Sequence, residues 1–349
     1  MANNLKLHLD VGGTGVDYEL CDLQTGRVIR EGTVATADFD HPVGLLELIA
    51  EDSGAKELAK AVEVAMPGQE HDGVWLASNV CPMSEALFQE GGWRFDAVSF
   101  VNDQSAKAAG SIHYEAPEES IIVPKRIEAA GKLNQVVVSV GTGLNIGTAE
   151  FLTAPDGKPF VNILVSEYGQ VLSHELSPHW GLPDAPRYRI EEMFCGDGIK
   201  RYFGCNEGID HRRYGYELAQ VLCDIAFTLL PGSIVLDGGV IHGMQSDLKS
   251  QKPTSQQTDL MRGLIEGYCA IRRGHNEEST AAINIIPQST QLVFGPSEQS
   301  LAMLGLRAIS KAKLAGGITV GGKPLVRSPV CSGAKLAAET SYGAFDPGI

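Results

Sequence analysis

The start of the chain alternates between apolar and polar positions and is interrupted by glycine. Leucine occupies every second position from Leu5 to Leu9, with polar residues between. Gly12–Gly15 breaks the pattern, which returns at residues 16–23 and, after a second turn, at residues 28–34. A period of two is typical of a half-buried strand. We therefore predict an antiparallel meander of three strands whose first turn is glycine-rich.

Helical and extended spacings follow this meander in turn. They predict helices at 43–49 and 56–62, a strand at 61–66, a helix near 84–90, a strand at 97–101 and a helix at 104–112.

The opening pattern recurs in the middle of the chain. A β-branched run at 136–140 leads into Gly141-Thr142-Gly143, an extended stretch to Leu152, a Pro-Asp-Gly turn and another strand at 160–165. The same Gly-Thr-Gly tripeptide occupies positions 13–15. Because the context is the same in both places, we predict a duplicated βββαβα unit. The alternative is two unrelated glycine turns.

A third glycine cluster, Gly238-Gly239, ends an apolar strand at 234–237 that follows an amphipathic stretch at 216–230. Beyond it, the pattern predicts an exposed loop or a fraying helix end at 245–259, a strand at 281–286, a helix at 297–312 with Ser297 and Ser300 as available caps, and a tail without a core pattern.

The composition excludes several classes of protein. With 349 residues the chain can form one large domain or two ordinary ones. A net charge of -15 argues against a nucleic-acid partner, and no apolar run is long enough to span a membrane. The seven cysteines form no CxxC pair, which indicates free thiols in a reducing compartment. No signal-peptide pattern precedes the first strand, so we expect a cytoplasmic protein.

The glycine turns predict a phosphate site. Glycine lets backbone amides approach phosphate oxygens closely, and Thr14 can add a hydroxyl donor. Asp10, at the end of a predicted strand, is suited to hold hydrated Mg²⁺. The turns match neither the P-loop nor the dinucleotide-binding fingerprint, since Gly12 leads into a strand. The alternative for each turn is an ordinary hairpin.

Four segments together resemble the bacterial-type glucokinase family, which belongs to the actin, sugar-kinase and heat-shock-chaperone superfamily. They are Leu9–Thr14 (LDVGGT), Val101–Asp103 (VND), Gly141–Leu144 (GTGL) and Leu236–Val240 (LDGGV), and the similarity covers roughly residues 5–312. The resemblance implies an α/β fold of two actin-like (ribonuclease H-like) domains, with duplicated βββαβα cores and a central cleft.

The resemblance also implies a division of the chain. Residues 1–110 with about 297–315 would form a small sugar and phosphate domain, 111–296 a large nucleotide-binding domain, and 316–349 an extension of unknown role.

Site residues follow from the same resemblance. Asn102 and Asp103 would bind the sugar, with Asp103 as the general base, although Asp103 could equally cap the helix that follows it. The implied nucleotide-binding residues are Asp10 (Mg²⁺ through water), Gly12, Gly13, Thr14, Gly141, Thr142, Gly143, Gly238 and Gly239. Further implied sugar contacts are Asn79, Glu167, Gln170 and Glu191, of which either glutamate could instead be a solvated surface residue.

The implied activity is that of an ATP- and Mg²⁺-dependent hexose kinase, with glucokinase first (ATP and D-glucose to ADP and glucose 6-phosphate). Tyr168 and Gln170 replace a glycine and a histidine of the family, and Pro82 and Asn145 also depart from its pattern. These departures favour one alternative, a kinase for another sugar or amino sugar. A second alternative is a non-catalytic sugar-sensing protein. ATP and a hexose are the implied small-molecule partners, and a homodimer is compatible with the family.

The related repressor–kinase group is disfavoured by the sequence, because its cysteine-rich zinc motif is absent. His174 and His179 have no cysteine neighbours at metal-ligand spacing, so we expect no metal role for them.

Overall fold

A computed structural model describes most of the chain. The described residues are 5–22, 25, 27–53, 59–77, 80–125, 134–166, 189–205, 208–245, 255–274, 289–296, 300–315, 317–320 and 323–324.

The first part of the chain forms a five-stranded sheet and a small three-stranded one. Its elements are β1 (Leu5–Val11), β2 (Gly15–Asp22), β3 (Val28–Ala35), α1 (Pro42–Ser53), β4 (Ala59–Met66), β5 (Gln69–His71), β6 (Val74–Ala77), β7 (Val80–Met83), α2 (Glu85–Phe88), β8 (Ala97–Asn102) and α3 (Asp103–Ser111). The large sheet has the order β3-β2-β1-β4-β8. The meander β1–β3 is antiparallel, while β4 and β8 run parallel to β1.

The second part forms an eight-stranded sheet. Its elements are β9 (Ile121–Val123), β10 (Asn134–Val140), β11 (Leu144–Thr153), β12 (Pro159–Ser166), α4 (Ile190–Phe194), α5 (Asp197–Phe203), β13 (Gly204–Cys205), β14 (Gly208–Ile209), α6 (His211–Leu229), β15 (Pro231–Asp237), α7 (Gly239–Gln245), α8 (Ser255–Gly274), β16 (Gln291–Phe294), α9 (Leu301–Ala315), β17 (Ile318–Val320) and β18 (Lys323–Pro324). The order is β18-β17-β12-β11-β10-β15-β16-β9.

The predicted duplication is confirmed by the topology. Strands β12-β11-β10-β15-β16 repeat the order and directions of β3-β2-β1-β4-β8. In the first sheet Val11 pairs with Val16 across the glycine turn, and in the second Val140 pairs with Leu144. The turns therefore occupy equivalent places, and the first is one residue longer.

Two helices lie between the sheets. Helix α3 follows the first sheet in sequence but contacts β10, β11 and β12 of the second, whereas α9 contacts β1 and β4 of the first. The two helices pack closely: a Cβ added at Gly305 would lie 1.7 Å from the Ala106 carbonyl oxygen. The cluster between them includes Ala108, Ala302 and Leu306. The predicted domain limits near residues 110 and 297–315 thus fall on this helix pair, and the division itself stays a prediction.

Two local predictions are wrong. Residues 59–62 of the predicted helix at 56–62 belong to β4, in which Lys60 is exposed and residues 62–66 are all buried. The residues at 56–62 fit a helical spacing as well as the start of a strand, and periodicity alone does not separate the two in so short a run. Likewise, β1 is not half-buried, because α9 covers its polar face and leaves His8 only 1% exposed.

The remaining predicted elements agree with the structure in part or fall outside the described residues. Segment 245–259 was predicted as an exposed loop or a fraying helix end, and helix α8 begins within it at Ser255. The predicted cap Ser300 is confirmed, because its hydroxyl accepts from the Ala302 and Met303 amides at the start of α9. Strand β17 pairs with β12, so the described part of the predicted extension belongs to the second sheet. The predicted strand at 281–286, Ser297, and residues 325–349 lie outside the described residues. No helix in the described ranges combines the length and apolarity that a membrane span requires.

Candidate active site

A cavity of about 610 Å³ lies where the central strands of both sheets end. Most of the predicted nucleotide-site residues line it together with the predicted base: Gly12, Gly13, Thr14, Asp103, Gly141, Thr142, Gly143, Gly238 and Gly239. Residues far apart in sequence therefore meet because they follow equivalent strands of a duplicated fold.

The two repeated turns have similar internal hydrogen bonds. The Gly12 amide donates to the Gly15 carbonyl at 2.8 Å, and the Gly141 amide donates to the Gly143 carbonyl at 2.9 Å. In addition, the Thr36 hydroxyl donates to the Gly12 carbonyl at 3.0 Å. These bonds hold both turns tightly at the edge of the cavity.

The third turn needs glycine for a steric reason. Gly238 has a φ of 102°, and a Cβ there would lie 2.5 Å from the Val140 carbonyl oxygen. Glycine alone tolerates both the positive φ and this close approach. The contact holds the end of β15 against the end of β10, immediately before Gly141.

Asn102, rather than Asp103, is the N-cap of α3, which corrects the alternative role predicted for Asp103. Asn102 is extended, and its Oδ1 accepts from the Gln104 amide at 2.9 Å and the Ser105 amide at 3.4 Å. Its Nδ2 donates to the Gly68 carbonyl at 3.3 Å, which links α3 to the Pro67–Gly68 turn. With the cap supplied by Asn102, the Asp103 carboxylate is available to face the cavity.

Asp10 lies at the end of β1, just before the cavity-lining Val11. Its Oδ2 accepts from the Ser300 hydroxyl at 2.7 Å, and Oδ1 accepts no hydrogen bond among the described residues. Burial raises the pKa of Asp10 to about 6 against the opposing effect of the Lys107 charge. Oxygen donors are what Mg²⁺ prefers, so the Asp10 and Asp103 carboxylates with the Thr14 hydroxyl form a donor set that fits this ion.

Sequence reasoning missed Lys107. Its ammonium lies 3.1 Å from Asp237 Oδ2 and donates to the Ser139 hydroxyl at 3.2 Å. The other Asp237 oxygen contacts His242 Nε2 at 2.8 Å. Lys107 stands four residues after Asp103, on the same face of α3, and that spacing was the one available signal.

The charges of this cluster determine the pKa values within it. Burial alone would lower the pKa of Lys107, but Asp237, Asp103 and Asp10 raise it above its ordinary value. Burial alone would raise the pKa of Asp237, but Lys107 and then His242 hold it well below its usual range. Lys107 and Asp237 are therefore a charged pair at neutral pH.

The predicted sugar contacts are only partly placed. Asn79, Glu167 and Gln170, like Tyr168, His174 and His179, lie outside the described residues. Within the described part, Glu191 lines a neighbouring cavity of about 450 Å³ rather than the central one, and the two cavities share Thr142 and Gly196. Asn145 lines the central cavity, and Pro82 lies in β7.

No protein-family model matches this sequence, and no curated protein is significantly similar to it. Solved structures do match. A glucokinase from an Antarctic psychrotroph has a TM-score of 0.62 and 16% identity, over 88% of this chain and 99% of its own. A ROK family glucokinase from Streptomyces griseus, in complex with glucose and AMPPNP, has a TM-score of 0.54 and 17% identity, over 88% and 99%.

A third structure, glucokinase from Balamuthia mandrillaris in complex with glucose, has a TM-score of 0.55 and 14% identity, over 88% of this chain and 94% of its own. The structural similarity demonstrates a shared fold, but at sequence identities this low it does not demonstrate a shared substrate. The chain therefore has the α/β, actin-like fold of the glucokinases, as its sequence motifs predicted.

Proposed function

We propose that this protein is an ATP-dependent hexose kinase, with glucose as the first acceptor to test and Asp103 as the general base. The observation that carries the proposal is the central cavity, where three glycine turns and the Asp103 carboxylate converge. The fold is that of structures solved with glucose and with an ATP analogue.

The glycine turns provide the nucleotide side of the cavity. The Gly12 and Gly141 amides are used within the turns. The backbone amides of Gly13, Thr14, Thr142 and Gly143 would donate to phosphate oxygens, and the Thr14 hydroxyl would add another donor. Gly238 and Gly239 would lie toward the adenosine. Preorganised donors of this kind supply most of the catalysis of phosphoryl transfer, because they position the nucleotide and neutralise its charge.

Asp103 provides the chemistry on the acceptor side. A sugar hydroxyl that attacks the γ-phosphorus forms a new P–O bond while the bond to the ADP oxygen breaks. The hydroxyl proton passes to the Asp103 carboxylate. A positioned base of this kind contributes typically ~10²–10⁴-fold to the rate.

Mg²⁺ would be held by Asp10 through water, near Thr14 and Asp103, and when bound it would neutralise charge on the phosphates.

Glu191, Asn79, Glu167 and Gln170 stay proposed sugar contacts. The two-domain division, a cytoplasmic location and a homodimer also stay predictions, which fractionation and size-exclusion chromatography can test.

The test is a panel of hexoses and amino sugars, assayed for ADP release with the purified protein, ATP and Mg²⁺. We expect phosphorylation of at least one sugar, and a kcat that falls ~10²–10⁴-fold in Asp103→Asn while calorimetric sugar binding is retained. Asp96→Asn, at an exposed aspartate outside the cavity, is the matched control.

Three results would contradict parts of the proposal. Undiminished turnover by Asp103→Asn would remove Asp103 as the base. Release of ADP only with sugars other than glucose would favour the alternative acceptor. Sugar binding without ADP release would favour the sugar-sensing alternative.

A further inference from the structure

Lys107 stands out because it is a largely buried ammonium on the wall of a predicted phosphate cavity. Its side chain is 15% exposed, and the cavity it lines also contains the Gly12–Thr14 and Gly141–Gly143 turns. Burying a charged amine is costly unless it is paired. The structure meets that cost with Asp237, which is itself 6% exposed.

The position of the ammonium is fixed by two direct contacts, one of which is itself held in place. Asp237 Oδ2 lies 3.1 Å from it, and the Ser139 hydroxyl accepts from it at 3.2 Å. His242 holds the second oxygen of Asp237 at 2.8 Å, which orients the carboxylate toward Lys107. The stem of the lysine leaves α3 one turn after Asp103, so one helix carries both the proposed base and this cation.

The donor count leaves room for a ligand. A lysine ammonium has three N–H donors. Among the described residues, Ser139 and Asp237 account for two of them. The third donor has the cavity beside it, and the groups on either side are backbone turns suited to phosphate oxygens.

The carboxylates around Lys107 show why an anionic ligand would need this cation. Asp237 is paired with Lys107 and contacts His242, and Asp10 and Asp103 lie close enough to raise the pKa of Lys107 further. A triphosphate entering this cavity would bring its terminal negative charges close to the Asp10 and Asp103 carboxylates. The ammonium, already held in the cavity wall, would offset part of that repulsion without reorganising when the ligand arrives.

We propose that Lys107 binds the terminal phosphates of the nucleotide as a protein-supplied cation, held in place by Asp237, Ser139 and His242. This inference rests on the proposed function for the identity of the nucleotide. Lys107 would thus bind the transferred group, while Asp237 and His242 would be positioning residues that act through it.

The test is calorimetric binding of inorganic tripolyphosphate and of AMP, without sugar, to wild type, Lys107→Met and the double variant Lys107→Met/Asp237→Asn. The double variant removes both charges of the buried pair and guards against simple misfolding, which thermal unfolding would show. Lys311→Met, at an exposed lysine of α9, is the matched control.

We expect the affinity for tripolyphosphate to fall roughly 10- to 100-fold in Lys107→Met and in the double variant, which is the size of a hydrogen bond between charged groups. Affinity for AMP should change by less than about 2-fold, since AMP lacks the terminal phosphates. Wild-type tripolyphosphate affinity in a folded double variant would overturn the inference, because Lys107 would then only balance Asp237.

The binding assay also separates this inference from the proposed function. If no sugar is phosphorylated but tripolyphosphate binding depends on Lys107, the kinase proposal fails and the phosphate site stands. If sugar is phosphorylated but the lysine is irrelevant to tripolyphosphate binding, the reverse holds.

Discussion

The two sheets repeat one topology but bury opposite kinds of side chain beneath the central helices. In the first sheet, His8 pairs in register with Glu63, and Lys6 forms a 2.9 Å ion pair with the same glutamate. Arg307 of α9 reaches down to Glu19 of β2 at 2.8 Å. A charged layer therefore separates this sheet from its covering helix.

The second sheet is apolar at the positions equivalent to His8 and Glu63. Val137 pairs with Val235 where the first sheet has His8 and Glu63, and both valines are buried. Gly147 of β11 lets α3 approach so closely that a Cβ there would lie 2.5 Å from the Gln104 carbonyl oxygen. Helix α3, which carries Asp103, thus packs closely against an apolar face of the second sheet.

The acids at the cavity edge are also distributed unequally. Asp10 pairs with Ala65 at the end of β1 and β4, whereas Ser139 pairs with Asp237 at the equivalent place in the second sheet. At this central strand pair each repeat therefore contributes one carboxylate, but from a different strand. Duplication supplies the backbone frame, and the differences between the copies make one asymmetric site with Lys107 inside it.

The largest expected effect comes from breaking the charged layer of the first sheet. Glu63→Leu removes the carboxylate that pairs with the buried Lys6 ammonium, and we expect a loss of about 3–5 kcal/mol in the free energy of unfolding, measured with denaturant. The double variant Lys6→Met/Glu63→Leu removes both charges of the pair and should recover most of that stability. If Glu63→Leu lowers the free energy of unfolding by less than about 1 kcal/mol, the ion pair between Lys6 and Glu63 contributes little to stability.

An intermediate effect is expected where the two central helices touch. Gly305→Ala places a methyl group against the Ala106 carbonyl, so α3 and α9 must separate. We expect about 1–3 kcal/mol of destabilisation. We also expect a reduced kcat, because α3 carries Asp103 and Lys107. Gly243→Ala in α7 is the matched control, since a Cβ there meets nothing within 4 Å. We expect the control to be neutral or to gain about 0.4–1 kcal/mol. Equal behaviour of the two variants would contradict the close packing.

The sequence pattern predicted the frame because the frame is local. A glycine turn after an alternating strand predicted the first meander, and a glycine turn after a β-branched run predicted the second. The recurrence of the turn at Gly141–Gly143 predicted the duplication. The cavity followed from the same motifs, since equivalent strand ends meet when the repeats face each other.

What the pattern did not reveal depends on distant partners. The role of Lys107 requires Asp237, which comes from the other repeat, and the buried polar face of β1 requires α9 from near the end of the described chain. Strand β4 was mistaken at its start because residues 56–62 also fit a helical spacing, and so short a run does not distinguish a helix from a strand. Asn102 rather than Asp103 is the cap because the backbone is still extended at Asn102 and becomes helical at Asp103. The pattern of residue types did not locate that change.

The smallest expected effect separates the two carboxylates of the cavity edge by their pH dependence. Asp237 is paired with Lys107 and keeps a low pKa, whereas burial raises the pKa of Asp10 from 3.8 to about 6. Between pH 3.8 and about 6, the folded state holds a proton on Asp10 that the unfolded state has lost, so the free energy of unfolding falls as the pH rises. The stabilising contribution of the protonated Asp10 is complete below about pH 4 and is lost above about pH 6.

Asp10→Asn keeps an acceptor for the Ser300 hydroxyl but cannot ionise. In EDTA, so that no metal compensates, we expect the variant to melt on the order of 2–4 °C above wild type at pH 8, with the difference closing as the pH approaches 4. Asp96→Asn, at an exposed aspartate, is the matched control. A difference that does not change with pH would mean that Asp10 titrates normally. A trend confined to Asp10→Asn would show that burial makes the Asp10 carboxylate costly to ionise until a metal arrives, whereas Lys107 and His242 offset that cost at Asp237.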